Sequence, residues 1–244
     1  MLHPILDRSL SAAGLAVVSR VRQTVAQQLA SHLCQAAASD GNGALQDADS
    51  AFPACLQQVA QTISFGEFSV AERLLQGEIR RLTSCVPPQS PQIRDWLILT
   101  SMALLQDDSV SAAAFLQQAE RRRAQPGAAV SQHRKLSLTF EQQLLDVLVK
   151  SVAGHTAQAS AMLDQAEQLV NGSVAAYRMW LILQLRAGLA LQGAEYRSAW
   201  QAWQAAMLLR GRFEQTFRGQ QDVAAADRNW VADMASRELA VMHN

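Results

Sequence analysis

The sequence predicts an all-α protein assembled from helical hairpins, and three observations support this fold class. Alanine, leucine and glutamine dominate the 244 residues, whereas only 12 are glycine and 6 are proline, a mixture that favours helix. Apolar residues recur at steps of three and four, the period of an amphipathic helix. Four times, an alanine precedes a large apolar residue by four positions, which indicates a structural unit used repeatedly.

The first predicted element is a long amphipathic helix. Apolar residues from Leu10 to Leu33 recur at helical steps and place it over about residues 8 to 37. The polar, glycine-containing stretch ASDGNGALQDADS follows and predicts a flexible internal linker. Residues 1–40 therefore form a separate N-terminal segment in this interpretation.

The next helices carry start signals. Pro53 suits a first helical turn, Ser69 and Glu72 have the spacing of a capping box, and Ser90 with Pro91 predicts an N-cap and first helical position. Breaks at 124–131 and 171–173 separate later helices. A polar stretch after residue 213 leads to a final capping helix, so we divide the chain into hairpins over 52–213 and a C-terminal helix over 217–244.

The recurring alanine pattern gives the hairpins their packing rule. A small residue lets the second helix approach the first closely, and the large residue one turn later fills the wedge between them. A lone hairpin leaves one face uncovered, so neighbouring hairpins must stack. The anchor alanines lie 41, 47 and 40 residues apart, as two-helix repeats do. The four sets are Ala71, Leu75 and Glu78; Ala112, Leu116 and Ala119; Ala159, Leu163 and Ala166; and Ala199, Trp203 and Ala206.

These positions give the chain a resemblance to a known family. Trp96 and Leu99, followed by Ala112 and Leu116, resemble the tetratricopeptide repeat, as do Phe68 with Ala71 and Leu75, and Tyr196 with Ala199 and Trp203. The resemblance covers about residues 52 to 213. It implies a right-handed α-solenoid of about four helical hairpins with flanking N- and C-terminal helices; another helical-hairpin array or an irregular bundle is the alternative.

Composition narrows the range of functions. The 21 basic residues balance the 21 acidic ones, so no net field attracts nucleic acid or anionic lipid. The cysteines at 34, 55 and 85 are odd in number and form no CxxC motif, which suits a reducing compartment. No secretory signal or membrane-spanning stretch is evident. We expect a cytoplasmic protein, and the excess of arginine over lysine suggests a bacterial source.

Signals for chemistry are few. The sequence contains no Walker loop, HExxH or GxSxG motif, and its five histidines are scattered. His155 falls in a predicted turn, where a surface imidazole is expected. We therefore predict no enzymatic activity, no cofactor and no metal.

Arginines and tryptophans each allow two interpretations. Arginines cluster at 80–81, 121–123 and 210–212, near the ends of second helices, where the helix dipole stabilises cations. The alternative is that they form a basic row that binds an acidic partner.

Trp200 and Trp203 share one helix face. We expect them to pack against the C-terminal helix near Trp230, rather than to act as exposed binding anchors.

The family register implies an inner groove lined by the first helix of each pair. Such a groove suits an amphipathic helix or an apolar peptide of a protein partner, so we predict a non-enzymatic scaffold or adaptor. A secretion or assembly chaperone, or an accessory subunit of a larger complex, is the alternative. The protein's own N-terminal helix could equally fill the groove. The predicted lining residues are Leu56, Ala60, Ile63, Leu97, Ser101, Leu104, Leu144, Leu148, Leu181, Gln184 and Leu191.

Overall fold

The computed structural model describes residues 12–40, 51–84, 92–124, 132–170, 175–212 and 225–242. These ranges contain ten α-helices and no strand, so the all-α class is confirmed. The helices are α1 (Ala12–Asp40), α2 (Ala51–Ser64), α3 (Phe68–Ser84), α4 (Ile93–Leu105), α5 (Ser109–Ala124), α6 (Gln132–Val152), α7 (Thr156–Glu167), α8 (Ala175–Gln192), α9 (Tyr196–Arg212) and α10 (Ala225–Met242).

The helices pack as sequential pairs within two compact units. The central unit comprises residues 26–153, in which α2 packs on α3, α3 on α4, and α4 on both α5 and α6. The terminal unit comprises residues 1–25 and 154–244, in which α8 packs on both α7 and α9, and α9 on α10. Helix α1 contributes its residues through Val25 to the terminal unit and the remainder to the central unit.

First and second helices differ in how much of their surface is buried. Eleven of the 13 residues of α4 are buried, whereas α5 buries only Ala112, Leu116 and Ala119. Likewise, 11 of the 18 residues of α8 are buried, whereas α7 buries three of its 12. A helix that is buried all round lies inside its unit, and a helix with one apolar stripe covers the outside.

The turns between paired helices share one backbone conformation. A single residue with positive φ occupies the same place in all four turns, at Gly66, Asp107, Gly154 and Ala194. Five residues later comes the anchor alanine, whose N–H donates to the carbonyl of the residue just before the second helix. This left-handed residue ends the first helix, and its constant distance from the anchor sets the same pairing geometry each time.

Two helix-start predictions need correction. The predicted capping box at Ser69 and Glu72 is wrong, because α3 already begins at Phe68 and both side chains bind Gln106 instead. Helix α4 begins at Ile93 and uses Gln92 with Asp95 as its capping box, so it starts two residues after the predicted first position. Ser90 and Pro91 themselves lie outside the described residues.

Other predicted boundaries agree more closely with the structure. Pro53 is the third residue of α2 and so lies in its first turn, where a missing N–H costs no intrahelical bond. Helix α1 (Ala12–Asp40) extends beyond the predicted end near residue 37, and the predicted start near residue 8 lies outside the described residues. The first three residues of the predicted linker, 38–40, belong to α1, so the linker prediction is wrong there. Residues 41–50, 125–131 and 213–224 lie outside the described ranges.

Candidate interaction surface

The four alanine anchors and the large residues that follow them are all buried. Ala71, Ala112, Ala159 and Ala199 expose no surface, and the large residue four positions after each is at most 5% exposed. The third member of the sets is also buried at Ala119, Ala166 and Ala206, whereas Glu78 is only partly buried and pairs with Arg81. The predicted small-residue packing is therefore confirmed.

The residues predicted to line the groove lie inside the two units. All of them are buried except Ala60, which is partly buried; Leu104 is the most exposed of the rest, at 7%. Helices α2, α4, α6 and α8 supply them, as the family register implies. Their faces are thus apolar and inward-facing, but they are not open to solvent. Their role in binding a partner stays a prediction.

In the terminal unit, α1 covers part of this surface. Val17, Val18 and Val21 belong to one buried cluster with Leu191 of α8, Trp203 of α9 and Val231 of α10. At Gly188 of α8 the approach is so close that a Cβ added there would lie 3.1 Å from Cγ1 of Val21. A glycine inside a helix is costly, and at this position it makes room for α1.

One ion pair fixes the direction in which α1 lies in this unit. Arg20 donates from Nε to Oδ2 of Asp227 at 2.6 Å and from its second nitrogen to Oδ1 at 2.5 Å. The hydrogen bonds from Arg20 to Asp227 raise the pKa of the guanidinium. Because the Arg20 side chain is 49% exposed, we expect this pair to add little stability and mainly to set the position of α1 along α10.

In the central unit, the second half of α1 is buried and makes polar contacts with the first helices α2 and α6. Ala26, Leu29, Ala30 and Leu33 are at most 2% exposed. Nε2 of Gln27 donates to the carbonyl of Ile63, one of the predicted groove residues, at 3.4 Å. Farther along, Nδ1 of His32 lies 3.7 Å from Oε1 of the buried Glu141. Within each unit, then, α1 lies against residues of first helices.

The tryptophans of α9 are core residues, as expected. Trp203 exposes no surface and donates from its indole nitrogen to Oε1 of Gln184 at 3.0 Å. Gln184 was predicted to face a partner, but its side-chain oxygen is satisfied by this internal bond. Trp200 and Trp230 are partly buried against the same cluster, and Trp230 meets the ring of Tyr196 edge to face at 5.8 Å.

A buried acid lies at the start of α4. Asp95 exposes no surface, and its Oδ2 accepts a hydrogen bond from the backbone N–H of Gln92. Burial raises the pKa of Asp95 to about 6, with Arg94 opposing the shift; the guanidinium Nε lies 3.9 Å from Oδ1. Burial likewise raises the pKa of the Cys34 thiol to about 12 and that of Cys55 to about 11, which disfavours the nucleophilic thiolate form of both.

The arginines of the predicted clusters differ in their surroundings. Arg81 pairs with Glu78, and burial lowers the pKa of the half-buried Arg123. Arg80 and Arg121 are exposed. The side chain of Arg212 lies outside the described residues, so the predicted row cannot be followed to its end.

A surface cleft of about 410 Å³ lies between α5 and α6, lined by small residues of α5 together with Glu120, Asp146 and Lys150. Across the described ranges, no three His, Cys, Asp or Glu side chains are arranged to bind a metal ion. His155 is exposed, just before α7. No helix in these ranges combines the length and apolar character needed to cross a bilayer.

Some contacts of this surface could not be found from sequence. Gly188 was identifiable as a glycine inside a strongly helical pattern, a signal of close backbone approach. Arg20, Gln27 and Gln106 carry no such signal, because their partners lie between 34 and 207 residues away along the chain. Comparisons with family models, curated proteins and solved structures found no match to this chain.

Proposed function

We propose that the protein is a non-enzymatic, tetratricopeptide-like solenoid that binds an amphipathic helix of a protein partner on its first helices. One observation carries the proposal: in each unit, α1, an amphipathic helix, meets a predicted groove residue. It shares a buried cluster with Leu191 in the terminal unit and donates from Gln27 to the carbonyl of Ile63 in the central unit. The surface is thus suited to receive such a helix. The common conformation of the four turns supports the solenoid.

In the free protein, α1 is the occupant that a partner must replace. A tethered helix competes at an effective concentration on the order of millimolar. A partner helix therefore needs the same stripe of β-branched and leucine side chains, and it gains from a basic residue that can reach Asp227 as Arg20 does. Apolar burial supplies the affinity, and the ion pair sets the register.

A peptide with the sequence of residues 12–40 tests whether the surface accepts a helix supplied in trans. In the full chain, Val21→Asp and Leu29→Asp together disable the resident α1, because both positions are fully buried. We expect the labelled peptide to bind this variant at least tenfold more tightly than wild type, since its competitor is gone. Fluorescence anisotropy measures the binding.

A matched peptide and a cross-linked chain serve as controls. The peptide carrying the same two aspartates should not bind. A chain with Val21→Cys and Gly188→Cys, oxidised to hold α1 in place, should not bind the wild-type peptide until it is reduced. If the disabled chain unfolds and the peptide does not restore it, α1 is an integral part of the core, and the proposed exchange is wrong.

A further inference from the structure

One edge of the central unit is acidic and partly apolar. Here the turn edge denotes the two turns that join α2 to α3 and α4 to α5, together with the first two residues of α3 and α5. Phe65 is 78% exposed and Val110 is 80% exposed at this edge. Glu67 and Asp107 are also exposed there, as is Asp108, which accepts the backbone N–H of Ser111. Exposed apolar side chains that share one polar-rimmed edge can mark an interaction site.

Contacts within the unit hold the two turns side by side. Oγ of Ser69, at the start of α3, donates to Oε1 of Gln106, at the end of α4. Nε2 of the same glutamine donates to Oε2 of Glu72. The carboxylates and the exposed apolar side chains of both turns therefore belong to one continuous edge.

The opposite edge of the unit is basic. Arg80 of α3 and Arg121 of α5 are both exposed, and neither forms an ion pair with another described residue. Each lies twelve residues after the first residue of its helix, Phe68 or Ser109. At 1.5 Å per residue, this places each arginine about 18 Å along its helix from the turn edge.

The charges on the two edges have matching spacing. Glu67 and Asp108 are equivalent residues, because each immediately precedes its second helix. Arg80 and Arg121 are equivalent by the same count. The offset between the two hairpins therefore separates Glu67 from Asp108 and also separates Arg80 from Arg121. A second copy shifted along the helix axes would bring its two arginines against the two carboxylates of the first copy.

We propose that the protein self-associates head to tail, with the Arg80 and Arg121 pair of one copy against the turn edge of another. Such a contact uses different surfaces on the two partners and can continue from copy to copy. Phe65 and Val110 lose solvent exposure in the contact, and the paired charges set its register. Because the charges are exposed, salt weakens the association.

Sedimentation equilibrium of the full chain tests this at low and high salt. We expect the weight-average mass to rise with concentration at about 50 mM NaCl and to return to that of a monomer at about 500 mM, where the Debye length is shorter. Arg80→Glu with Arg121→Glu should give a monomer at both salts. So should Glu67→Lys with Asp108→Asn, a change that retains an acceptor for the N–H of Ser111.

A mixture of the two variants gives the sharpest result. In the mixture, the unaltered turn edge of the arginine variant can meet the unaltered Arg80 and Arg121 of the turn variant. The mixture should therefore form a one-to-one complex, although neither variant associates alone. Phe65→Ser with Val110→Ser should weaken wild-type association at least fivefold, whereas Leu208→Ser, at a 72% exposed position of α9, should not change it. A monomeric wild type, or association that survives in both charge variants, overturns the proposal.

The proposed exchange of α1 can fail without affecting this result. The two edges lie within the central unit and include no residue of α1. The oxidised Val21→Cys and Gly188→Cys chain should therefore self-associate as wild type does. Loss of self-association in that chain would also count against the edge contact.

Discussion

Asp95 shows at the scale of a single residue how a buried acid constrains a helical core. Its Oδ2 caps α4 through the N–H of Gln92, whereas Oδ1 accepts no hydrogen bond from the described residues. Burial raises its pKa to about 6, above the value of an exposed aspartate. The folded state therefore binds this proton more tightly than the unfolded state does.

The sign of that shift predicts a pH dependence. The contribution of Asp95 to stability is fully present below the unfolded pKa, near 4, and is lost as pH rises through about 6. We expect Asp95→Asn to keep the cap through its side-chain oxygen and to be more stable than wild type at pH 7, by roughly 3 kcal/mol. Urea denaturation at pH 4 and pH 7 measures the difference. A difference equal at both pH values would contradict the assignment.

Gly66 and Gly77 form a matched pair for the turn geometry. Neither would place a Cβ within 4 Å of another atom, but only Gly66 has a positive φ, of +77°. Gly66→Ala should cost roughly 1 kcal/mol of unfolding free energy. Gly77→Ala, inside α3, should instead add about 0.5 to 1 kcal/mol. Destabilisation of similar size in both would show that the turn conformation is not the cause.

At the scale of elements, α1 is the helix whose role most needs a test. Leu29 exposes no surface and Leu15 is 58% exposed, although both are leucines of the same helix. Leu29→Ala should cost about 2 to 5 kcal/mol because it leaves a cavity. Leu15→Ala should change stability by less than about 0.5 kcal/mol. Equal effects in guanidinium denaturation would mean that α1 is not packed as described.

The helices that sequence predicts well are those whose signal is local. Ala112 and Leu116 lie one turn apart on α5, so one short pattern contains both the close approach and the residue that fills it. The Ser69 and Glu72 spacing was equally local, yet it misled, because Gln106 from a neighbouring hairpin binds both side chains. A capping box and a tertiary contact use the same residue types, and sequence alone does not separate them.

At the scale of the whole molecule, the apolar character of the inner surface was predictable but its occupant was not. Leu97 and Leu144 show helical periodicity, and both are fully buried. What covers such a face depends on where a helix distant in sequence lies. Contacts that place that helix, such as the hydrogen bond from Gln27 to Ile63, are visible only in the structure. The sequence therefore leaves both interpretations of the groove open, a helix of a partner or α1 itself.

Cross-linking of α1 to α8 tests the central claim most directly. A Cβ built on Gly188 lies 3.7 Å from Cβ of Val21, within the range of disulfide geometry. In a chain with Val21→Cys and Gly188→Cys and with its native cysteines replaced by alanine, we predict nearly complete disulfide formation under mild oxidation without denaturant. The altered gel mobility of the closed loop reports the yield. A chain that stays reduced while fully folded would show that α1 does not occupy this surface.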